Sequence, residues 1–477
     1  MFECMRTDSL SFMMGGTSGK MVPYEPLPLY KDDGEPNLQM VAACAVLQDK
    51  TINIPDAYTN DEFDFSGTRK FDEKTGYRSK SFLTVPMKDH ENEIIGVMQL
   101  INAIDPETGE VVEFTPQDQL LVQALSSQAS VALTNTRLID AQRRLFEAFI
   151  QLMAEAIDEK SPYTGGHCER VPELTMMIAN TASDCNIGPL KDFTMSEKDA
   201  YELKIAGWLH DVGKVTTPEY VVDKATKLET IFDRVELIKT RIEVLKRDAR
   251  ISMLEAQLKD GANGHDVEQE YQNTIAAIDD DLAFIEKVNI GGEFMSEDLQ
   301  QRVEEISKQG WQCSGEQQPF LSENEVYNLK IPKGTLTPEE REVINNHIVV
   351  TIKMLEALPY PKDLKNVPEY AGGHHERMDG KGYPNGLKRD EMSLQARIVG
   401  VADIFEALTA RDRPYKKGKT LTQSLFILGK MKEDNHIDPD VFDLFVREKI
   451  YLTYADKFLE PDQIDEVDES KIPGYSP

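Results

Sequence analysis

The sequence predicts an α+β protein of several parts: an N-terminal α/β domain, a long connecting helix, and a helical C-terminal domain interrupted by an inserted helical hairpin. Three patterns carry this prediction. Short apolar runs broken by polar turns occupy residues 41–133, as in a mixed α/β domain. A helix-start signal at Thr115 opens a stretch with apolar residues at helical spacing as far as Leu152. Residues stepping by three and four, first Leu228 to Leu245 and then Tyr271 to Ile285, flank a break at Gly261-Ala262-Asn263-Gly264. At 477 residues the chain is long enough for two or three domains.

In the first part, Val85, Ile94, Ile95, Val97, Met98, Leu100 and Ile101 supply the apolar runs. Thr115-Pro116-Gln117-Asp118 then starts a helix, with Thr as N-cap, Pro in the first turn and an acid facing the free backbone N–H groups. Leu121, Leu125, Val131, Leu138, Leu145, Phe149 and Leu152 continue it, so a connecting helix is expected over 116–157. Its length suits a signalling helix through which the chain dimerises.

The insertion spans about 225–330. Leu228, Ile231, Val235, Ile238, Ile242 and Leu245, then Tyr271, Ile275, Ile278, Leu282 and Ile285, fit two helices folded back as an antiparallel hairpin. It reads equally as a solvated spacer or as a dimer contact or lid beside a site. The polar, glutamine-rich segment to about Leu329 reads as partly mobile.

Composition narrows the function classes. A hydrophobic fraction of 40% and a charged fraction of 29% are those of a soluble globular protein. No stretch approaches the roughly 20 apolar residues of a membrane span. Residues 1–19 lack a secretory signal, so a cytoplasmic protein is expected. Cys4, Cys44, Cys168, Cys185 and Cys313 are odd in number and contain no C-x-x-C pair, which argues against a disulfide framework or a thiolate zinc site. A net charge of -31 excludes the basic face that a nucleic-acid polymer needs, while leaving room for a small anion held by cations. No phosphate-cradling glycine loop is present, so nucleoside triphosphate hydrolysis is not supported.

The chemistry-bearing residues lie in the second half. His210-Asp211, within Ala206-Gly207-Trp208-Leu209-His210-Asp211-Val212-Gly213-Lys214, is expected near the C-terminal end of a helix that Ser196 and Asp199 cap at its start. Neighbours on a helix point about 100° apart, so this pair is expected to bridge two ions rather than chelate one. A carboxylate spans cations about 3.5 to 4 Å apart. His374-His375 precede a Gly-rich turn, and desolvating two imidazoles together is costly unless something binds them. Asp403 sits in an apolar helical stretch where an isolated carboxylate needs a partner. His347 lies among Val343, Val350 and Met354 at helical spacing, and alone it reads as a core histidine.

Two family resemblances join these readings. Asn53-Ile54-Pro55-Asp56-Ala57-Tyr58, Thr75 through Pro86, and Gly96-Val97-Met98-Gln99-Leu100-Ile101-Asn102 resemble a GAF domain, a regulatory module that binds cyclic nucleotides or other small ligands or dimerises. Asn102, Phe114 and Asp118 fit the N-K…F…D-E motif of its nucleotide-binding members, whereas Ala103 and Gln119 replace Lys and Glu. The resemblance starts partway into the domain, so Met1 is expected to lie inside a longer natural protein.

Residues 146–220 and 338–428 resemble the HD-GYP family of the HD phosphohydrolase superfamily. The pair is His210-Asp211 with Lys214, and the signature runs from His374-His375-Glu376-Arg377 to Gly382-Tyr383-Pro384. The implied organisation is a GAF-like domain over 1–135 lacking its start, an all-α catalytic domain over 146–455 and a C-terminal tail over 456–477. The implied metal ligands are His167, His210, Asp211, His347, His374, His375 and Asp403, with Asp211 bridging two divalent ions, iron or manganese. Lys214, Arg413 and Lys416 correspond to cations that hold substrate phosphates, although Arg413 and Lys416 alone read as solvated surface charge. Arg377, Asp379, Gly382, Tyr383 and Pro384 are the further implied substrate-binding residues, with Asp379 and the Gly382-Tyr383-Pro384 loop shaping the pocket rather than doing chemistry. Members with three metals carry a Glu four residues before the first His, where this chain has Tyr163, which favours two metals. Asp158 or Glu159 is the alternative source of such a ligand.

The resemblance implies hydrolysis of cyclic di-GMP to linear pGpG, or onward to GMP. A cation-activated water would attack phosphorus in line, and Lys214 would stabilise charge or protonate the leaving oxygen. Competing readings are the mixed 3′3′-cyclic GMP-AMP dinucleotide, another HD phosphohydrolase acting on nucleotides or alarmones, and a catalytically silent sensing module. The implied partners are the cyclic dinucleotide, a small GAF ligand and a second copy of the chain.

Overall fold

The structure is a computed structural model that describes residues 4–7, 12–15, 18–22, 26–160, 166–260, 264–292, 294–411 and 418–476. Arg413, Lys416 and Tyr163 lie outside the described residues. The fold is α+β and divides into two units, residues 1–146 and 147–477.

In the first unit, β1 (Cys4–Thr7) and β2 (Phe12–Gly15) form an antiparallel pair, followed by α1 (Val41–Leu47), β3 (Ile52–Ile54), α2 (Ser66–Thr75), β4 (Phe82–Lys88) and β5 (Ile94–Ile101). β3, β4 and β5 make an antiparallel sheet in that order. Side chains alternate faces along a strand, and β4 is buried on both. Phe82 packs with Val41, Cys44 and Ala45 of α1, while Leu83 and Val85 pack with Phe114 and Val122 on the other side. A short pair, β6 (Ala103–Ile104) and β7 (Val111–Val112), completes this unit.

The three residues that fit the nucleotide motif serve the local fold. Asn102 adopts φ 64°, a left-handed conformation that Asn tolerates. Its side chain accepts from the Lys80 N–H (2.7 Å) and donates to the Arg78 carbonyl (2.8 Å). Phe114 is core, and Asp118 accepts from the Thr115 N–H and hydroxyl at 2.8 Å each. That cap starts α3 (Pro116–Asp158), a continuous 43-residue helix.

The second unit is helical: α4 (His167–Asp184), α5 (Glu197–Leu209), a 3-10 turn (Val212–Thr216) and α6 (Glu219–Val222) precede the insertion. The insertion itself holds α7 (Val235–Asp260) and α8 (Gly264–Asn289), then α9 (Glu297–Ser307), the hairpin β8 (Gly310–Cys313) and β9 (Glu316–Pro319), and α10 (Glu323–Leu329). α7 and α8 pack as a hairpin around Val235, Ile238, Ile242, Phe284 and Ile285. The helical stepping read from the sequence starts too early, because Thr226 to Asp233 form a turn that leaves Ile231 96% exposed. The glutamine-rich segment, read as partly mobile, contains packed residues beside its exposed β8–β9 hairpin. Met295, Val303, Ile306, Phe320, Leu321 and Leu329 are buried against the hairpin of α7 and α8, and Arg241 of α7 grips Glu325 through two bonds of 2.8 and 2.9 Å. A few well-spaced apolar residues suffice to fix a polar segment when each has a place to be buried.

The chain then returns through α11 (Pro338–Asn345), α12 (His347–Glu356), α13 (Val367–Gly372), α14 (Leu394–Thr409), α15 (Leu421–Glu433), α16 (Pro439–Arg447) and α17 (Ile450–Phe458). Leu174, Ile178, Leu203, Ile205, Phe405, Phe445 and Tyr454 are almost fully buried in this unit. Among the described residues, no helix is long and apolar enough to cross a membrane.

Candidate metal centre

α5 begins with a complete Ser196/Asp199 capping box and ends at Leu209, leaving His210 as C-cap and Asp211 at φ -106°, ψ 9°. The turn of direction between them matters. The expectation that the pair cannot face one ion assumes a continuous helix. Because the helix stops there, His210 Nε2 and Asp211 Oδ2 converge to 3.3 Å.

Gly213 permits the next step. A Cβ on it would meet the His347 carbonyl oxygen at 2.0 Å and the Thr351 nitrogen at 2.6 Å. Its N–H instead donates to Thr351 Oγ1 at 2.9 Å, so the 3-10 turn lies directly on α12. This brings Asp211 Oδ1 within 3.2 Å of His347 Nε2. His167, first residue of α4, places Nε2 3.2 Å from Asp211 Oδ2 and 3.5 Å from Asp403 Oδ1 of α14.

The structure therefore brings together all seven residues named as ligands. They form two groups, His167 with His210 and Asp211, and His347 with His374 and His375; within each, the donor atoms lie within 4.8 Å of one another. Asp211 offers an oxygen toward each group, and the His210 and His374 rings, 4.9 Å apart, join them. Asp403 Oδ1 stands 3.8 Å from His210 Nε2.

The hydrogen bonds fix what these groups can do. Nδ1 of His210 lies 2.7 Å from the Gly207 carbonyl, that of His347 2.5 Å from Ile344, and that of His374 2.6 Å from Ala371. A carbonyl only accepts, so each Nδ1 carries a proton and each ring turns its Nε2 toward the centre. The Nε2 atoms of His210 and His347 face a carboxylate, and His374 Nε2 is buried with no hydrogen-bond partner among the described residues. Burial and the neighbouring His210 push the His374 pKa down to about 4, and burial together with His374 and His347 lowers His375, so both rings are neutral near pH 7. Imidazole nitrogens and carboxylate oxygens converging in a buried site are the arrangement that a bound cation would hold together. The donor set of imidazoles and carboxylates suits a divalent transition metal ion.

His167 differs from the other rings. Its Nδ1 lies 2.6 Å from Oε2 of Glu406, whose Oε1 accepts from Arg170 Nε at 2.7 Å. Burial opposes charge on both partners, but their attraction prevails: His167 is raised to about 10 and Glu406 lowered to about 2. Burial also opposes the Asp211 anion, yet Lys214 and His210 hold its carboxyl well below the usual range. Lys214 Nζ is 2.5 Å from Asp211 Oδ2, and Asp211 and Asp403 keep it an ammonium.

The signature loop closes one side. Tyr383 stacks on His375 with centroids 4.8 Å apart. Buried Glu376 accepts from the Asn385 and Leu387 N–H groups at 2.7 and 2.9 Å, stapling the loop. A Cβ at Gly382 would meet the Arg377 nitrogen at 2.4 Å, so Gly is required. Arg377 and Asp379 are spent on each other through two bonds of 3.1 Å, and Arg377 also bonds the Asp434 carbonyl. They brace the loop. Asp158 accepts from the Cys168 N–H at 3.1 Å, and Lys160 donates to the carbonyls of Lys214 (3.2 Å), Val215 and Thr217 (2.7 Å). Glu406, Arg170, Glu376 and Lys160 were not singled out from sequence. For Glu406 the available signal was a second acid, three residues after Asp403, in an otherwise apolar helix.

Residues 323–441 match the HD domain family and residues 7–133 the GAF domain family. The HD match contains His347, His374, His375 and Asp403, whereas His167, His210 and Asp211 lie upstream, across the insertion. The chain is 25% identical over 345 residues to the 3′3′-cGAMP-specific phosphodiesterase 3 of Vibrio cholerae, covering 71% of this chain and 48% of that protein. It is 36% identical over 139 residues to a probable cyclic di-GMP phosphodiesterase of Vibrio cholerae, covering 28% and 31%. It is also 36% identical over 119 residues to a cyclic di-GMP phosphodiesterase of Thermotoga maritima, covering 25% and 32%. The chain thus spans less than half the length of these curated relatives. The second unit thus carries a match to the HD domain family and the first a match to the GAF domain family, on one polypeptide.

Proposed function

We propose that the chain is a metal-dependent phosphodiesterase of the HD-GYP type that hydrolyses cyclic di-GMP to linear pGpG, under control of its GAF domain. The observation that carries this reading is the convergence of five imidazoles and two carboxylates on one buried centre with a lysine at its edge. When bound, a pair of divalent cations, iron or manganese, supplies Lewis acidity and a water acidic enough to attack phosphorus near neutral pH. His167, His210, Asp211 and Asp403 would hold one and His347, His374 and His375 the other, with Asp211 shared.

The chain's own residues do the rest. Lys214, held as an ammonium beside Asp211, takes a phosphoryl oxygen or gives its proton to the departing 3′ oxygen. Tyr383 covers His375 and keeps water from that face. Arg413 and Lys416 follow α14 in sequence and are assigned to the second phosphate. Arg377 and Asp379 shape the pocket from behind rather than touch substrate. With Tyr163 in place of a third-metal Glu, and Asp158 engaged at the α4 N-terminus, two metals and the linear product are the favoured outcome.

The likeness to a cGAMP-specific phosphodiesterase over 71% of this chain supports a second substrate reading, the mixed 3′3′-cyclic GMP-AMP dinucleotide. For regulation, the support is mechanical: α3 starts beside the first unit's core and ends where Asp158 and Lys160 hold the start of α4 and the Lys214 turn. For a homodimer, the support is a row of exposed apolar side chains seven residues apart on α3, Val131, Leu138, Leu145 and Leu152, the spacing of a coiled-coil seam. The free thiols of Cys44, Cys168, Cys185 and Cys313 suit the cytoplasm.

The test incubates protein reconstituted separately with ferrous and manganous ions with each dinucleotide, beside Asp211→Ala, and separates products by chromatography. Linear dinucleotide from the wild type alone is expected. No turnover of either substrate at full metal occupancy would sink the reading.

A further inference from the structure

His210, His347 and His374 are each oriented by the carbonyl three residues earlier, Gly207, Ile344 and Ala371. Their own backbone therefore suffices. For His167 no preceding turn of α4 supplies such a carbonyl, because it is the first residue of the helix and follows Gly166 in the left-handed conformation. A helix N-terminus also presents N–H groups and a partial positive charge, which weakens an imidazole as a donor toward a cation.

α14 answers both deficits. Asp403 and Glu406, one turn apart, bracket the ring: Asp403 Oδ1 lies 3.5 Å from Nε2 and Glu406 Oε2 2.6 Å from Nδ1. The Glu406 side chain is only 1% exposed, and Arg170 holds its other oxygen, so it can neither rotate to water nor swing into the centre as a ligand. Among the described Nδ1 atoms of the cluster, that of His167 is the one held by a carboxylate. A carboxylate behind a ligating histidine fixes its tautomer and raises its basicity.

We propose that Glu406 is the positioning residue for His167, and that through it the fold sets cation affinity in the His167/His210/Asp211/Asp403 half of the centre independently of the His347/His374/His375 half. The two halves are then unequal: the first is tuned by a side chain 239 residues away, the second by local backbone. This rests on the proposed two-metal reading. It does not depend on which dinucleotide is cleaved.

The test needs no substrate. Full-length metal-free protein is dialysed to equilibrium against graded free manganous ion, and manganese per chain is measured by elemental analysis. The electron paramagnetic resonance signal separates coupled pairs from single ions. Wild type is expected to bind two ions. Glu406→Ala is expected to keep one at unchanged affinity and to bind the other about 10- to 100-fold more weakly. Glu406→Gln is the same size and keeps an acceptor for Nδ1–H without the charge, so it should fall between them and separates lost charge from a disturbed fold. Equal weakening of both ions, or none in either variant, overturns the proposal. A wild type that binds no manganese overturns the metal centre with it. Selective loss of one ion in protein that cleaves neither dinucleotide leaves the proposal standing and removes the substrate reading.

Discussion

Gly213→Ala is the sharpest perturbation of the centre that changes no donor. The added Cβ would sit 2.0 Å from the His347 carbonyl oxygen, 2.6 Å from the Thr351 nitrogen and 2.7 Å from Thr351 Oγ1. Two of these are backbone atoms of α12 and cannot rotate away. An ordinary carbon–oxygen contact needs more than about 3 Å, so the 3-10 turn must retreat from α12 by roughly 1 Å. Overpacking of this kind costs about 1 to 3 kcal/mol. The retreat also breaks the 2.9 Å Gly213–Thr351 bond and separates Asp211 from His347. Misplacement by about 1 Å reduces rate on the order of 100-fold. The assay pairs thermal unfolding with turnover of cyclic di-GMP by manganese-loaded protein. The expectation is a folded but less stable protein, with kcat down about 100-fold and one or both ions bound more weakly. Turnover within twofold of wild type, with unchanged metal content, would refute the claim that contact between the turn and α12 sets the geometry of Asp211.

Lys214→Met removes the ammonium beside Asp211; kcat should fall about 100- to 1,000-fold with metal stoichiometry kept, and lost metal instead would make Lys214 structural. Leu138→Glu with Leu145→Glu places charges in the exposed α3 row; equilibrium sedimentation should show dimer for wild type and monomer for the double variant, and a wild-type monomer at high concentration would remove the dimer reading. Lys227 is 2% exposed, its ammonium bonds the Leu329 carbonyl and Met295 sulfur, and burial lowers its pKa from 10.5 to about 8. The unfolded chain therefore holds the extra proton between pH 8 and 10.5, and the burial penalty, full below pH 8, fades as pH rises. The stability difference between Lys227→Met and wild type should shift by about 2 kcal/mol toward wild type from pH 7.5 to 9.5; a difference flat with pH would mean the amine is solvated.

Patterns local in sequence were legible. The Thr115 cap, the Ser196/Asp199 box and the hairpin of α7 and α8 were each visible because their partners lie a few residues apart or repeat at helical spacing. Patterns that depend on where a helix stops were not. Leu228 and Ile231 step like a helix yet precede it, and the 100° rule failed for His210 and Asp211 because α5 ends between its core and its ligands. The glutamine-rich segment looked mobile because composition averages over six apolar residues that each find burial.

By itself the sequence offered the side chains for the centre: His210-Asp211 and His374-His375 as adjacent pairs, and His167, His347 and Asp403 through the family resemblance. Tertiary structure alone decided how they are held. Glu406 reaches His167 across 239 residues, Lys160 reaches Thr217 across 57, and Gly213 meets the His347 backbone across the whole insertion. Hydrogen bonds and close contacts act over about 3 Å of space, and no spacing along a chain records which distant residues the packing of α4, α12 and α14 will bring that close.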